Sequence, residues 1–190
     1  MPNRWAGMFL LLLFGFHTAG IRAELQPAPV NPDAKLLQEF QDRVGKYTDL
    51  RKKLEKGTPS LEETDKPEQI KAAQDVLAQR IRAARPGARQ GEIFTPAIAE
   101  HFRKLMRPEL KGPDALETKK TIKEDGPGAI TLKVNARYPD EAPLPTVPPN
   151  LLLRLPKLPE DLEYRVIGNT LILRDARANL IVDFLSRAIG

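Results

Sequence analysis

The chain has 190 residues, 30 of them lysine or arginine and 25 aspartate or glutamate, for a formal net charge of +5. This mixed-sign, mildly basic balance is typical of an ordinary soluble surface and lacks the clustered positive excess of nucleic-acid-binding proteins. The sequence contains no cysteine, which excludes disulfide stabilisation, thiol catalysis and cysteine–zinc sites. Stability must therefore come from a packed core.

The first 23 residues have the layout of a secretory signal peptide. Arg4 supplies a positive start, residues 5–16 are uncharged and apolar, and small or polar residues precede Glu24. The apolar run is about a dozen residues, shorter than the roughly 20 that a membrane-spanning helix needs. We expect cleavage after Ala23 and a mature chain in the periplasm or outside the cell. An uncleaved membrane anchor and a buried first helix are the alternatives.

Residues 24–30 form a short proline-containing spacer, and residues 31–128 are predicted to be helical. The first helix should begin at Asn31-Pro32-Asp33, where Asn caps, Pro takes the first position and Asp faces the positive helix end. Gly57 should end it. Its apolar stripe, with steps of three and four residues, consists of Leu36, Leu37, Phe40, Val44, Tyr47, Leu50 and Leu54.

Three further helices are predicted in this half. The second should begin at Asp65, which forms a capping-box pattern with Glu68, and end at Pro86-Gly87, so that it pairs with the first as an antiparallel hairpin. The third should open at Thr95-Pro96 and close at Pro108. A short fourth helix is expected after Gly112-Pro113, ending at residues 126–128.

Residues 129–190 are predicted to be rich in β-structure. Strict alternation over residues 130–137 indicates a strand with one buried face. Residues 139–149 hold five prolines and should be extended. They are either a strap over the core or a recognition ligand. Residues 151–155 are compatible with one helical turn.

A β-hairpin is predicted at the C-terminus. Gly168-Asn169 is a two-residue turn signal that places Val166 opposite Leu171 and Tyr164 opposite Leu173. Residues 180–184 follow as a third strand or as the start of a final helix. The prediction is an α+β fold in which an N-terminal helical hairpin, short helices and a small antiparallel meander share one core.

Residues 156–184 resemble a C-terminal element of periplasmic proteins of the RcnB type, named for a nickel and cobalt homeostasis protein. The matching residues are Leu158-Pro159, Tyr164-Arg165, Gly168, Leu173, Asp175 and Ile181-Val182-Asp183. The longer pattern PxxxxPPxLLxxLPxLPEDLEY resembles uncharacterised exported proteins of soil bacteria such as acidobacteria. The resemblance implies an envelope location and a small β element. It does not carry metal binding over, because His101 is the only histidine after residue 23.

Three charged clusters are candidate sites, each with a simpler structural explanation. Glu100-His101 is the one histidine–carboxylate neighbour pair, but adjacent helical residues point about 100° apart and do not form a dyad. The acidic cluster Glu62, Glu63 and Asp65 could bind a divalent cation. Its negative charge also complements the positive end of the dipole at a helix start, which explains it without a ligand. The basic cluster could bind phosphates or a membrane surface, but it also suits a helix end; it consists of Arg80, Arg82, Arg85 and Arg89.

Other motifs do not indicate a known chemistry. Residues 87–91 lack the Lys-Ser/Thr of a phosphate loop, and neither Ser60 nor Ser186 lies in a nucleophile-elbow motif. We therefore predict no catalytic, cofactor-binding or metal-binding residues. The predicted function is that of an exported, non-enzymatic accessory or interaction protein of the cell envelope, with an envelope protein as partner and no nucleic acid. The alternatives are a carboxylate-based hydrolase of envelope glycans and a metal-homeostasis protein of the RcnB type.

If the signal peptide is cleaved as expected, the exported protein begins near Glu24. Mass spectrometry of the N-terminal peptide, purified from native cells, measures this start directly. An N-terminus at Met1 in the membrane fraction would contradict the prediction and favour the uncleaved anchor.

Overall fold

The computed structural model describes residues 31–58, 66–124 and 130–189. Within these ranges the fold is α+β, as predicted, with five helices followed by three strands. The predicted signal peptide and spacer lie outside the described residues. The elements are α1 (Pro32–Glu55), α2 (Pro67–Ala84), α3 (Pro96–Lys111), α4 (Ala115–Glu124), α5 (Pro149–Leu152), β1 (Leu162–Ile167), β2 (Thr170–Asp175) and β3 (Leu180–Leu185).

Helix α1 begins and ends at the predicted residues. The Asn31 side chain accepts a hydrogen bond of 3.0 Å from the Asp33 amide, and Pro32 occupies the first helical position. Gly57 follows the last turn with φ +78°, a left-handed conformation that glycine adopts without steric cost. The stripe residues Phe40, Val44 and Tyr47 are buried.

Helices α1 and α2 run antiparallel, as the sequence predicts. Arg80 donates to the carbonyl of Leu54 at 3.0 Å, while the guanidinium of Arg85 lies 5.1 Å from the ring centre of Tyr47. The contacts thus move forward along α2 and backward along α1. The predicted capping residue Asp65 lies outside the described residues, and Lys66 occupies the N-cap position.

The predicted end of α3 at Pro108 is wrong, because the helix continues to Lys111. A proline inside a helix loses one backbone hydrogen bond, but two features of this last turn offset the loss. Leu110 is buried in the core, and the amide of Gly112 donates to the carbonyl of Pro108 at 2.8 Å. Thr95 caps the start of α3, as predicted.

The three strands form an antiparallel sheet of order β1-β2-β3. The predicted register is confirmed: Val166 pairs with Leu171 and Tyr164 with Leu173. The turn needs a positive φ at its first residue, which Gly168 supplies at +56°. Residues 180–185 form a strand and not a helix.

The strand predicted over residues 130–137 is not formed, apart from one isolated bridge between Arg137 and Leu180. Asn135 adopts φ +62°, which interrupts an extended backbone. The alternation of aliphatic residues in this segment instead reflects packing against the sheet. Ile130 and Leu132 pack against a small cluster that includes Ile172, on the face of the sheet away from the helices.

The larger hydrophobic cluster joins the helices to the other face of the sheet. Its aromatic centre links α1, α3 and β1. The ring centres of Phe40 and Phe102 lie 4.8 Å apart, and those of Phe102 and Tyr164 lie 6.3 Å apart. Both faces of the sheet are therefore covered, and Leu171, Ile172 and Leu173 are all 0% exposed.

A buried carboxylate fixes the loop between α2 and α3. Asp183 on β3 is 0% exposed and accepts hydrogen bonds from the backbone amides of Gly91 at 2.9 Å, Ile93 at 2.7 Å and Phe94 at 2.9 Å. Hydrogen bonds to a charged acceptor are stronger than neutral ones. Asp183 thereby holds the start of α3 against β3.

Replacing Asp183 with Asn should lower the free energy of unfolding by about 2–3 kcal/mol. The NH₂ group of asparagine would take the place of one acceptor oxygen and face buried backbone N–H groups, which are also donors. Chemical denaturation at neutral pH measures the effect. The matched control is Asp49→Asn, an exposed residue of α1, which should change stability by less than about 0.5 kcal/mol. Equal stability of the two variants would show that the carboxylate is not needed.

Candidate functional site

A groove of about 930 Å³ lies beside the outer edge of β1. One wall comes from residues 146–158 and the other from the four consecutive β1 residues 162–165. Because alternate side chains of a strand point to opposite faces, a wall of consecutive residues means that the groove meets the strand edge-on. Its volume is within the range of about 300–1,000 Å³ found for ligand pockets.

The wall opposite β1 is mostly apolar. Leu152 and Leu153 lie at the end of α5 and are 48% and 86% exposed. Val147 and Leu155 are buried beneath them and join this wall to the core. The proline-rich residues before it act as the predicted strap, since Pro145 and Pro148 are buried.

The outer edge of β1 presents backbone groups that β2 does not use. The amide of Ala176 donates to the carbonyl of Asp161 at 2.8 Å, so the residues of β1 that bond β2 are the odd-numbered ones. The amides and carbonyls of Tyr164 and Val166 therefore point away from β2. Tyr164 lines the groove, whereas Val166 is 1% exposed and lies outside the groove lining. No backbone partner for either amide occurs among the described residues.

The opposite edge of the sheet is covered. The amide of Asn135 donates to the carbonyl of Ile181 at 2.8 Å, the amide of Ile181 donates to Ala136 at 2.9 Å, and the amide of Tyr138 donates to Asn179 at 3.0 Å. These hydrogen bonds cover the start of β3, and further along the strand the side chain of Gln90 donates to the carbonyl of Phe184 at 3.3 Å. Within the described part of the chain, β1 carries the open edge of the sheet.

Charged residues form the polar rim of the groove. Glu163 accepts hydrogen bonds from Arg165 and Arg174. Burial opposes its ionisation, but these two partners outweigh burial and hold the pKa of Glu163 below its usual value. The Nε atom of Arg165 is buried and has no hydrogen-bond partner. Lys157 is exposed on the other wall.

A second polar cluster lies inside the molecule, between α1 and the sheet. Asp175 is 0% exposed and Arg51 is 2% exposed. The hydroxyl of Tyr47 donates to Oδ2 of Asp175 at 2.7 Å, and Nε of Arg51 lies 3.5 Å from the same oxygen. The guanidinium of Arg51 also contacts Asp161 at 3.1 Å. The cluster links α1 to both strands at the open end of the β1–β2 hairpin.

Burial is the main cause of the pKa shifts in this cluster. It raises the pKa of Asp175, while the bonds from Tyr47 and the Ala178 amide and the charge of Arg51 oppose the shift. Burial and the neighbouring Asp175 raise the pKa of Tyr47 well above its usual value, so its hydroxyl stays a donor. A glycan hydrolase needs an acid of raised pKa in an open cleft. Asp175 is enclosed and therefore does not meet that requirement.

Glu100 and His101 do not form a dyad. Glu100 is exposed and lies 3.6 Å from Arg103, whereas His101 is buried with its Nδ1 atom 3.3 Å from Asp33. Neither ring nitrogen of His101 makes a hydrogen bond. The part of the chain that the structure describes contains no cluster of three or more metal-ligating side chains.

The arginines of the predicted basic cluster make hydrogen bonds within the protein and so stabilise the fold. Arg80 donates to the carbonyls of Leu54, Lys56 and Gly57, and so caps the C-terminal end of α1. Arg82 donates to the carbonyl of Asn135 at 2.9 Å. Arg85 donates to Asn135 and Glu92, while Arg89 is exposed.

The remaining candidates do not assemble into a site. Glu62, Glu63, Asp65 and Ser60 lie outside the described residues. Gly91, the last residue of the glycine-containing loop 87–91, already donates its amide to Asp183. Ser186 accepts a hydrogen bond from Gln90. The groove itself was missed by the sequence reasoning, although the run Leu151-Leu152-Leu153 is more apolar than one buried helical turn requires.

No family model, curated protein or solved structure matches this chain. The resemblance of residues 156–184 to the RcnB type, and of the whole chain to exported proteins of soil bacteria, stays a prediction. Among the described residues, none of the helices combines the length and apolar character that crossing a membrane requires.

Asp175→Asn should alter the pH dependence of stability. Because the folded-state pKa is raised, Asp175 contributes stability that is full below its unfolded pKa of about 3.9 and is lost as pH rises through the folded value. The free energy of unfolding of the wild type minus that of Asp175→Asn should therefore fall as the pH rises above about 4. Denaturant titrations at a series of pH values from about pH 4 upward measure this difference. A difference that rises with pH would show that the buried carboxylate is favourably ionised.

Proposed function

We propose that this protein is an exported interaction protein of the bacterial cell envelope, and that its groove holds an extended, apolar segment of a partner protein. The observation that carries the proposal is the open edge of β1, which forms one wall of the groove. Tyr164 presents its backbone groups there. An added strand is the usual partner of such an edge.

The spacing of backbone groups on β1 favours a peptide over a small molecule. Outward-facing groups recur at every second residue, at Leu162, Tyr164 and Val166, which matches the repeat of a pairing strand. The Leu162 amide is already used within the turn that starts β1, where it donates to Pro159 at 3.2 Å. Pairing is therefore expected at Tyr164, the outward-facing residue of β1 that lines the groove and whose amide has no backbone partner among the described residues.

The side-chain chemistry of the groove favours apolar residues in the partner. Leu152 and Leu153 expose apolar area beside the strand, and covering such area stabilises a complex by about 25 cal/mol per Å². At the rim, Lys157 gives a preference for an acidic residue at one end of the segment. An unpaired edge bordered by apolar side chains is otherwise a risk for aggregation.

The proposed location rests on the sequence. The positive start, the short apolar run and the small residues before Glu24 support export. An envelope protein that binds extended, apolar segments would act on partners before or during their assembly. The role is that of an accessory protein and requires no catalysis.

Selection of peptides from a random displayed library, with the mature protein as bait, tests the proposal. The selected peptides should be apolar and able to form a strand. Leu153→Asp should weaken their binding by about tenfold or more, because burying a leucine contributes about 1.5–3 kcal/mol. Fluorescence anisotropy of a labelled peptide measures the dissociation constant.

Leu116→Asp on α4 is the matched control. Leu116 is 85% exposed and Leu153 is 86% exposed, so neither substitution should disturb the core. The control lies away from the groove and should leave peptide binding unchanged. Failure to select any peptide, or equal loss of binding in both variants, would refute the proposal.

A further inference from the structure

A second concave site lies between α3, α4 and the turn after β3, away from the groove. Its volume is about 240 Å³. Buried Leu110 and Ala188 form its floor. The five other side chains that line it are all cationic: Arg103, Arg107, Lys111, Lys119 and Arg187. We call this site the basic pocket.

Three of these cations form a row on α3. Arg103, Arg107 and Lys111 are spaced four residues apart and so lie on one face of the helix. Like charges at this spacing destabilise a helix. This spacing is visible in the sequence, but sequence reasoning missed the row because Lys119 and Arg187, which complete the pocket, are distant in the chain.

Most of the positive charge in the basic pocket is not neutralised by the protein. Arg103 lies 3.6 Å from the carboxylate of Glu100. Within the described residues no carboxylate forms an ion pair with Arg107, Lys111, Lys119 or Arg187. Four cationic groups therefore converge without an acidic partner, which raises the local positive potential.

The basic pocket is held in place by hydrogen bonds between its walls. The guanidinium of Arg103 donates to the carbonyl of Arg187 at 3.1 Å and to the carbonyl of Ser186 at 3.0 Å. These bonds fix the turn after β3 against α3. These bonds keep the cations of the two walls close together, and an anion that enters the pocket offsets their repulsion.

We propose that the basic pocket binds a phosphate-bearing anion. Phosphate is favoured because the planar guanidinium of arginine matches two phosphate oxygens at once, and because several oxygens satisfy several converging donors. The source of the phosphate is either a soluble phosphate or the headgroup of an anionic phospholipid. This site shares no residue with the groove and does not depend on the function proposed for it.

One neighbouring residue distinguishes the two sources. Leu116 lies three residues before Lys119 on α4 and is 85% exposed, so it is close to Lys119 on the helix surface. An exposed apolar side chain beside cations suits a membrane surface, where it can enter the acyl boundary while the cations contact headgroups. Binding of a soluble phosphate does not require an exposed apolar side chain such as that of Leu116.

Two binding measurements on the mature protein test the proposal. Inorganic phosphate is titrated in solution and followed by NMR shifts of the amides of α3 and α4. Co-sedimentation is measured with vesicles of phosphatidylglycerol and phosphatidylcholine, against vesicles of phosphatidylcholine alone. The double variant Arg107→Gln/Lys119→Gln should weaken whichever binding is observed by about tenfold or more, because each cation near an anionic surface contributes to attraction.

The matched control is Lys104→Gln/Lys120→Gln, which removes the same charge from exposed positions of the same two helices outside the pocket. It should retain binding to within about twofold, as expected of screened surface charges. Phosphate binding in solution supports the soluble source, and binding only to phosphatidylglycerol vesicles supports the headgroup. No binding in either assay, or equal loss in both double variants, overturns the proposal.

Discussion

The buried polar cluster of Tyr47, Arg51 and Asp175 is the constraint that joins α1 to the sheet at one defined place. Apolar packing alone would hold the longest helix against the sheet without fixing where along the sheet it lies. Because burial raises the pKa of Asp175, its ion pair with Arg51 adds little net stability over apolar side chains, but removing one partner leaves the other polar group buried and unpaired. We infer that Arg51 and Asp175, together with the Tyr47 hydroxyl, set the position of α1 on the sheet.

Coverage of both faces of the sheet decides which surface is left for binding. The helices cover one face, and residues 130–142 cross the other face and bond the start of β3. A three-stranded sheet has two edges, and only β1 keeps an open one within the described residues. The strap then returns beside β1 and becomes the second wall of the groove.

Local signals predicted much of the fold. Asn31-Pro32 set the start of α1, and Gly168-Asn169 set the hairpin register, because both depend on neighbouring residues alone. The failures involve distant partners. Pro108 does not end α3 because Leu110 reaches the core, and residues 130–137 alternate because they cross a sheet face. Likewise, the roles of Asp183 and the groove could not be predicted, since their partners lie far away in sequence.

The most direct test of the central claim, that a partner strand pairs with the open edge of β1, is amide hydrogen exchange of the mature protein with and without a saturating selected peptide. The amides of Glu163 and Arg165 face β2 and should be protected in both states. The amide of Tyr164 should exchange quickly in the free protein and slowly in the complex. Fast exchange of the Tyr164 amide in the saturated complex would contradict strand pairing.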